Sequence, residues 1–244
     1  MSRVPGKLGF PAIPGTRMTN KPNTNGRLIA IGDIHGHAMA LRALIKAIQP
    51  SADDVIVTLG DYVNRGPDSK GVVECLIELQ DRCNLVPILG NHDEMLLDAR
   101  KDRYAYDRFL VSGGRETVAS YGKQKLDGIP KSHWAFLESC RDYYETASFI
   151  FTHANFCSYT PLPLQLSSVL RWTGIDEMDI CKHRTGKVAI VGHSVGKRIR
   201  DYGTCICIDT GCGFGGQLTA YDPTNKRQWQ VSENGWRTDQ STSR

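Results

Sequence analysis

Residues that commonly bind divalent metals directly follow five apolar, β-branched stretches of this sequence. Each stretch is four or five residues long, and a polar turn begins where it ends. The six candidate ligands in these turns are Asp33, His35, Asp61, Asn91, His153 and His193. Carboxylate, amide and imidazole groups together suit Mn, Fe or Zn. Because a pair of such ions can polarise a phosphate ester and supply a nucleophile at neutral pH, this set of residues indicates phosphate-ester hydrolysis.

The spacing of these candidates suits two ions. Asp33 and His35 are two residues apart with glycines on both sides, so both side chains could face one ion. Asp61 opens the next loop, and a carboxylate can bridge two ions with its two oxygens. The neutral donors that would complete the second ion are Asn91, His153 and His193. With only two carboxylates in the set, the pair would keep enough positive charge to bind a phosphate dianion.

The apolar stretches alternate with helical patterns in the first third of the chain. Apolar residues at helical spacing predict helices over 38–49 and 69–83, between strands that end near residues 31, 59 and 89. This order favours parallel βαβ units and an α/β fold. In an open α/β sheet, functional side chains lie beyond the carboxyl ends of the strands, which would bring the candidate ligands together.

The rest of the chain divides into a helical part and a strand-rich part. Residues 93–140 carry mostly helical patterns, and we expect them to form a compact cap beside the site. The later strand patterns cover 148–152, 188–191, 204–208, 218–222 and 227–231. We therefore predict one domain over 27–236, with a loose arm over 1–26 and a frayed tail over 237–244.

The composition is that of an ordinary globular protein. The chain has 244 residues, of which 40% are hydrophobic and 23% are charged. A net charge of +4 without a dense basic run argues against nucleic acid as a partner. No apolar run approaches the roughly 18 residues that span a bilayer, so we expect no membrane association. Eight scattered cysteines without a C-x-x-C pair indicate reduced thiols, and we expect a cytoplasmic monomer.

Three blocks of the sequence resemble the signature of the metallophosphoesterases. They are Gly32–Gly36 (GDIHG), Gly60–Gly66 (GDYVNRG) and Gly90–Asp93 (GNHD). The second block is similar to the phosphoprotein phosphatase family, and Ile208–Thr219 resembles its bacterial branch, which includes symmetrical diadenosine tetraphosphate hydrolases. The resemblance runs from about Leu28 to Trp229. It implies an α/β fold of the calcineurin-like type, a four-layer αββα sandwich with helices on both sides of two sheets.

The resemblance also implies how the candidate ligands divide between two divalent ions. Those implied for the first ion are Asp33, His35 and Asp61. Those implied for the second ion are Asp61, Asn91, His153 and His193. Mn²⁺ is the metal that we expect, with Fe and Zn as alternatives, because oxygen and imidazole ligands suit all three.

Further residues of the same blocks are implied to act on the substrate. The planar guanidinium of Arg65 would clamp the phosphoryl oxygens, with Asn91 as a second contact. His92 would be the general acid that protonates the leaving oxygen. We expect a second phosphate-binding arginine, and Arg171 is our first candidate for it. The alternative candidates are Arg198 and Arg200.

Asn64 stands where many members of the family carry an aspartate that accepts a hydrogen bond from the general-acid histidine. An amide carries no charge, so we expect the pKa of His92 to fall and leaving-group protonation to suffer. Three interpretations are open at this point. Another carboxylate, such as Asp93 or Glu94, takes the role; the enzyme prefers easier leaving groups; or the protein is a weakly active module that binds phosphorylated partners.

The expected substrate class is phosphoserine or phosphothreonine in proteins, because a compact cap would leave an open groove. The alternative is a bis(5'-nucleosyl)-tetraphosphatase, whose phosphoanhydride leaving group needs less protonation than an alkoxide. A phosphoprotein-binding module is the alternative from a different class. Turnover would distinguish it from the two enzymes.

Overall fold

Two five-stranded β-sheets organise this protein, seen in a computed structural model that describes residues 26–122, 125–178, 180 and 182–236. The first sheet has the strand order β10-β9-β1-β2-β3 and the second β4-β5-β6-β8-β7. The strands of the first sheet are β1 (Leu28–Ile31), β2 (Val55–Thr58), β3 (Asn84–Pro87), β9 (Gln217–Asp222) and β10 (Arg227–Ser232). Those of the second are β4 (Tyr143–Glu145), β5 (Phe149–Thr152), β6 (Val188–Val191), β7 (Arg200–Asp201) and β8 (Cys205–Cys207).

Helices cover the outer faces of both sheets. They are α1 (Ala38–Ile48), α2 (Ser69–Gln80), α3 (Asn91–Asp98), α4 (Arg103–Phe109), α5 (Arg115–Ser120), α6 (Lys131–Glu138) and α7 (Ser167–Arg171). The first six belong to the layer on the first sheet, and α7 lies on the second with the loops around it. No helix in the described part of the chain combines the length and the apolar character needed to cross a bilayer.

The alternation of side chains along the strands creates three apolar layers. On β1, Ile29 and Ile31 face the helices, whereas Ala30 faces the second sheet. The layer between the sheets consists of Ala30, Val57, Leu59, Ile88, Phe151, Ile190, Ile206, Ile208 and Tyr221. The central strands thus pack on both faces, which explains why β1, β2, β5 and β6 are almost continuously apolar. Helices, two sheets and helices in this order confirm the predicted αββα sandwich.

Both predicted βαβ units are confirmed, since β1 pairs in parallel with β2 and β2 with β3. The helix α1 is followed by Gln49, which adopts a left-handed conformation before Pro50. The helix α2 begins after Asp68, whose side chain accepts from the N–H of Gly71. The helical prediction for 93–140 is also confirmed by α3 to α6. Between α4 and α5, Ser112 and Gly113 leave helical geometry.

Three expectations need correction or lie outside the described residues. The candidate ligands follow strands of two sheets rather than of one open sheet, because β5, β6 and β8 form a separate sheet that faces the first. The short strands β4 and β7 were not predicted, because two or three residues carry no readable alternation. The predicted arm, apart from Gly26, and the predicted tail over 237–244 lie outside the described residues.

An ion pair closes the edge of the sandwich at which β1 and β2 begin. The Arg27 guanidinium donates to both carboxylate oxygens of Asp54, with the shortest distance of 2.6 Å to Oδ2, and also to the carbonyls of Ile48 and Gln49 at the end of α1. Asp54 is buried and accepts a further bond from the N–H of Ser51. Although burial alone raises the pKa of Asp54, the bonds from Arg27 and Ser51 lower it to about 2.

We predict that Asp54→Asn lowers the free energy of unfolding at pH 7 by about 2 kcal/mol, following the shift of the Asp54 pKa from 3.8 to about 2. Because the folded-state pKa is the lower one, this stabilisation is complete above pH 4 and is lost as the pH falls toward 2. Urea unfolding should therefore show that about half of the difference between wild type and variant has vanished at pH 3.

The control is Glu74→Gln, which removes one partner of the exposed ion pair between Lys70 and Glu74. This change should alter stability by no more than about 0.5 kcal/mol at either pH. A destabilisation by Asp54→Asn that stays constant from pH 7 to pH 3 would contradict the assignment to the ionised carboxylate.

Candidate metal centre

The six predicted ligands meet at one end of the sandwich. Asp33, Asp61 and Asn91 follow β1, β2 and β3 of the first sheet, whereas His153 and His193 follow β5 and β6 of the second. His35 lies in the turn after Asp33. The side chains are buried or, for His193, half-buried. The strand ends thus bring the six candidate ligands together, although the strands belong to two sheets.

Asp61 occupies the middle of the cluster. Its Oδ2 lies 3.5 Å from Nε2 of His35, and its Oδ1 lies 3.5 Å from Nε2 of His153. Two groups of potential ligand atoms share this carboxylate, one with His35 and His92 and one with His153 and His193, and the atoms of each group lie within 4.8 Å of one another. A carboxylate with one oxygen toward each group has the geometry of a bridging ligand.

Asn91 and Asp33 join the cluster from the first sheet. Oδ1 of Asn91 lies 3.0 Å from Nε2 of His153 and 3.2 Å from Nδ1 of His193. The carboxylate of Asp33 accepts the backbone N–H of His193 at 3.1 and 3.2 Å. Asp33 therefore connects the two sheets. His92, which is not among the six candidate ligands, also has a ring nitrogen within 4.8 Å of ligand atoms of His35 and Asp61.

Backbone carbonyls orient the three candidate histidine ligands. Nδ1 of His153 lies 2.7 Å from the carbonyl of Leu59, and Nε2 of His193 lies 3.0 Å from the carbonyl of Trp172. His35 makes the same kind of bond through Nδ1 at 3.1 Å. A carbonyl can only accept, so each ring carries its proton on the outer nitrogen, and the inner nitrogen presents a lone pair to the site.

Burial shifts the pKa values of the candidate ligands toward their neutral forms. Burial lowers the pKa of His153 and of His193 to about 4, and neighbouring positive groups add to the effect. Burial also raises the pKa of Asp61 to about 7, and that of Asp33 well above its usual value, which nearby carboxylates raise further. Neutral donors with free lone pairs around buried carboxylates form a donor set that fits divalent cations.

Asp209 is a further acidic residue of the site that we did not predict. It follows β8, it is buried, and burial raises its pKa to about 6. Its charge raises the pKa of both Asp33 and Asp61, so it lies within their electrostatic reach. The signal that points to Asp209 is the same as for the other acidic residues of the site, namely an acidic side chain directly after an apolar strand.

Asn64 contacts His92, but through its amide nitrogen and not through the amide oxygen that could have accepted a proton. Its Nδ2 lies 2.9 Å from Nδ1 of His92, and its Oδ1 accepts the hydroxyl of Thr117 at 2.9 Å. Because an amide nitrogen only donates, Nδ1 of His92 accepts, and the proton of the neutral ring lies on Nε2. Burial, with Arg65 and the other histidines, lowers the pKa of His92 to about 3. The expected loss of an ionic partner is therefore visible in the geometry.

The two carboxylates next to His92 in sequence serve other groups. Asp93 accepts the backbone N–H groups of Tyr62 and Gly90 at 2.9 and 3.1 Å, so it fixes the two ligand loops to each other. Glu94 pairs with Arg171 and accepts the indole N–H of Trp172 at 2.5 Å. The interpretation that one of them replaces the missing aspartate therefore has no contact to support it.

Arg65 lies beside the ligands. Its Nη1 contacts Nε2 of His35, and its Cζ lies 4.3 Å from the centre of the Phe214 ring. It lines a surface cleft of about 440 Å³, whose other lining residues are Asn91, His92, Met95, Arg108, Val111, Ser112, Gly113 and Trp172. The predicted clamp and general acid thus face the same open space as one of the candidate ligands.

Of the three candidates for a second phosphate-binding arginine, Arg198 is exposed, and the other two contact protein groups. Arg171 is held between the carboxylates of Glu94 and Asp142. Arg200 donates to the carbonyl of Ser194 and lies 3.6 Å from a carboxylate oxygen of Asp176. Both guanidinium groups are therefore engaged by protein acceptors, and a role of Arg171 in phosphate binding stays a prediction.

Backbone strain is concentrated at this site. Seven non-glycine residues in the described part of the chain have positive φ, and five of them are Asp61, His35, Asn64, Arg65 and His193. A left-handed conformation costs such residues on the order of 1 kcal/mol each. Loop hydrogen bonds hold it in place, among them those from the N–H of His35 to the carbonyl of Asp61 and from the N–H of Arg65 to that of Gly113.

Comparisons with known proteins agree with this geometry. The chain is 29% identical over 204 residues to serine/threonine-protein phosphatase 1 of Salmonella typhimurium, covering 78% of this chain and 88% of that protein. It is 33% identical over 132 residues to a symmetrical bis(5'-nucleosyl)-tetraphosphatase of Buchnera aphidicola, covering 51% of this chain and 42% of that enzyme. A crystal structure of a candidate diadenosine tetraphosphatase shares the fold, with a TM-score of 0.65, 24% identity and coverage of 86% and 95%.

A sequence model of the calcineurin-like phosphoesterases matches residues 26–196, well over half of the chain. The matched region contains all six candidate ligands, Arg65 and His92. The chain therefore belongs to the calcineurin-like phosphoesterase family, whose members hydrolyse phosphoesters with a dinuclear metal centre.

Proposed function

We propose that this protein is a two-metal phosphatase that dephosphorylates phosphoserine and phosphothreonine residues of proteins. The observation that carries the proposal is the position of Asp61 between two histidine groups, next to a cleft that contains Arg65 and His92. We further propose Mn²⁺ as the metal and a cytoplasmic monomer as the working form.

The residues divide naturally between holding metals and handling the substrate. Asp33, His35 and Asp61 would hold one cation, and the second would share Asp61. The neutral ligands of the second would be Asn91, His153 and His193. When bound, two divalent cations polarise phosphoryl oxygens and lower the pKa of a water molecule between them.

The protein groups in the cleft supply orientation and a proton. Arg65 presents a planar fork of donors, which matches two phosphoryl oxygens, and the amide of Asn91 can donate to a third. His92 carries its proton on Nε2, the nitrogen opposite Asn64, where it can be passed to the leaving oxygen.

The choice of a protein substrate rests on the extent of similarity and on the open cleft. The chain covers 88% of the Salmonella protein phosphatase but only 42% of the Buchnera tetraphosphatase. One wall of the cleft is the turn of Ser112 and Gly113, and Trp172 lies at its rim with about a third of its surface exposed. A cleft that opens at the surface suits a side chain presented by another protein.

The alternative, a dinucleoside tetraphosphatase, is favoured by the contact between Asn64 and His92. An amide that donates to Nδ1 stabilises the neutral ring, so His92 is a poorer acid than an imidazolium paired with a carboxylate. A phosphoanhydride leaving group is less basic than an alkoxide and needs less protonation. A binding module without turnover remains the alternative from a different class.

The first prediction from the proposed function is that one Mn²⁺-supplemented preparation hydrolyses a phosphothreonine peptide faster than diadenosine tetraphosphate. Phosphate release and nucleotide products would be measured in parallel, as kcat/KM. Faster nucleotide hydrolysis would replace the proposal by the alternative. Absence of turnover on both, with two ions bound per chain, would leave only the binding module.

The second prediction concerns Asn64. Asn64→Asp provides an acceptor for a proton on Nδ1 of His92, so kcat for a phosphothreonine peptide should rise by about tenfold. Hydrolysis of nitrophenyl phosphate, whose leaving group needs little protonation, should change by less than about twofold. An equal effect on both substrates would contradict the idea that Asn64 limits leaving-group protonation.

The third prediction concerns the bridging position of Asp61. Asp61→Asn should reduce the Mn²⁺ content below two ions per chain, measured by plasma mass spectrometry, and lower kcat by about a hundredfold or more. Asp98→Asn, which removes a carboxylate from a surface ion pair with Lys101, should change neither. Two tightly bound ions in Asp61→Asn would show that this carboxylate is not shared.

A further inference from the structure

A second cleft of about 550 Å³ lies next to the metal centre and has no part in the chemistry described so far. Its lining includes Val195, Lys197, Gly211, Phe214 and Gln217, which come from the segments after β6 and β8 and from β9. Two of these side chains are large, apolar and open to solvent. Phe214 is 57% exposed and Val195 is 46% exposed.

Phe214 separates this cleft from the catalytic one. The Cζ of Arg65 lies 4.3 Å from the centre of its ring, so the guanidinium stacks on the aromatic ring. Arg65 lines the catalytic cleft, whereas Phe214 lines the second cleft. A ligand in the second cleft would therefore be one side chain away from the proposed phosphate clamp.

The exposure of Phe214 results from a well-fixed loop. Glu233 accepts the backbone N–H groups of Gly213 and Gly215 at 2.9 and 2.7 Å. Gly213 has a φ of +96° and lies so close to His35 that an added Cβ would be 2.8 Å from the Cβ of His35. The loop thus packs on His35, a candidate metal ligand, and leaves the ring of Phe214 exposed to solvent.

Distances indicate which part of a substrate could reach the ring. A phosphate that accepts from Arg65 would have its phosphorus about 4 Å from Cζ. Because the ring centre lies 4.3 Å from the same Cζ, the phosphorus and the ring centre would be at most about 8 Å apart. Residues two positions apart in an extended chain are about 7 Å apart, so the second neighbour of the phosphorylated residue could contact Phe214.

We propose that this second cleft is a specificity site, which binds an apolar side chain two residues from the phosphoserine or phosphothreonine between Phe214 and Val195. The inference rests on the proposed function, because it requires a peptide substrate. The apolar pair and the continuity with Arg65 favour a leucine-like side chain over a charged one, although Lys197 lies at the edge of the same cleft.

The test uses three phosphothreonine peptides that differ only at the two positions two residues before and after the phosphothreonine. These positions are both Leu, both Gly or both Asp. The measured quantity is the ratio of kcat/KM between peptides within one protein, in which any general change of activity cancels. We expect wild type to prefer the Leu peptide over the Gly peptide by about tenfold, as one apolar side chain in a pocket allows.

Two variants remove the two walls of the site independently. Val195→Asp places a charge in the lining of the cleft, and Phe214→Ala removes the ring. Both changes should reduce the Leu to Gly ratio to about one or two. Tyr159→Asp, at a side chain that is 80% exposed and lines neither cleft, is the matched control and should keep the wild-type ratio.

Several outcomes would overturn the inference. Equal kcat/KM for the Leu and Gly peptides in wild type, or a preserved ratio in both variants, would show that no apolar side chain binds here. Preference for the Asp peptide would assign the cleft to Lys197 and acidic residues. Absence of turnover on all three peptides, while nitrophenyl phosphate is hydrolysed, would instead refute the proposed protein phosphatase, and this inference with it.

Discussion

Three carboxylates, those of Asp33, Asp61 and Asp209, lie buried within electrostatic reach of one another where the two sheets meet. Removing an isolated carboxylate from water costs several kcal/mol, and neighbouring charges of the same sign increase the cost. The histidines around the carboxylates donate from their outer nitrogens to backbone carbonyls, so they are neutral and turn lone pairs toward the site. Arg65 offsets part of this repulsion, and the raised pKa values of the three carboxylates show that the rest favours proton uptake. Divalent cations would supply the positive charge that keeps the carboxylates ionised.

The need to bring these carboxylates and histidines together explains where the backbone is irregular. The three apolar layers are regular and could support many loop sequences, whereas five non-glycine residues with positive φ gather at the end of the sandwich where the ligands converge. Such backbone is tolerated because the layers beneath it are fixed, and because Asp93 ties the loop after β2 to the loop after β3. Stability is thus concentrated in the layers, and the irregular loops determine the position of each ligand.

Much of this arrangement could be predicted from sequence, because strand ends and ligand-type residues are local signals. The strand patterns alone do not give the division into two sheets, since β-branched runs of similar length do not say which strands pair, and the family resemblance supplied it. Asp209 was overlooked although it obeys the same rule as Asp61. The direction of the Asn64 amide depends on Thr117, 53 residues away, and the pairing of Arg171 with Glu94 spans 77 residues. Such long-range polar contacts leave no pattern in the sequence.

The order of the strands also bears on how the protein is made. In the first sheet β1 lies between β2 and β9, and the N–H of His193 reaches the carboxylate of Asp33 across 160 residues. During synthesis from the N-terminus, the acidic ligands leave the ribosome long before the histidines of the second sheet. Until β9 follows, one edge of β1 stays unpaired. The pairing of β9 with β1 and the contact between Asp33 and His193 therefore form only after most of the described chain has been synthesised.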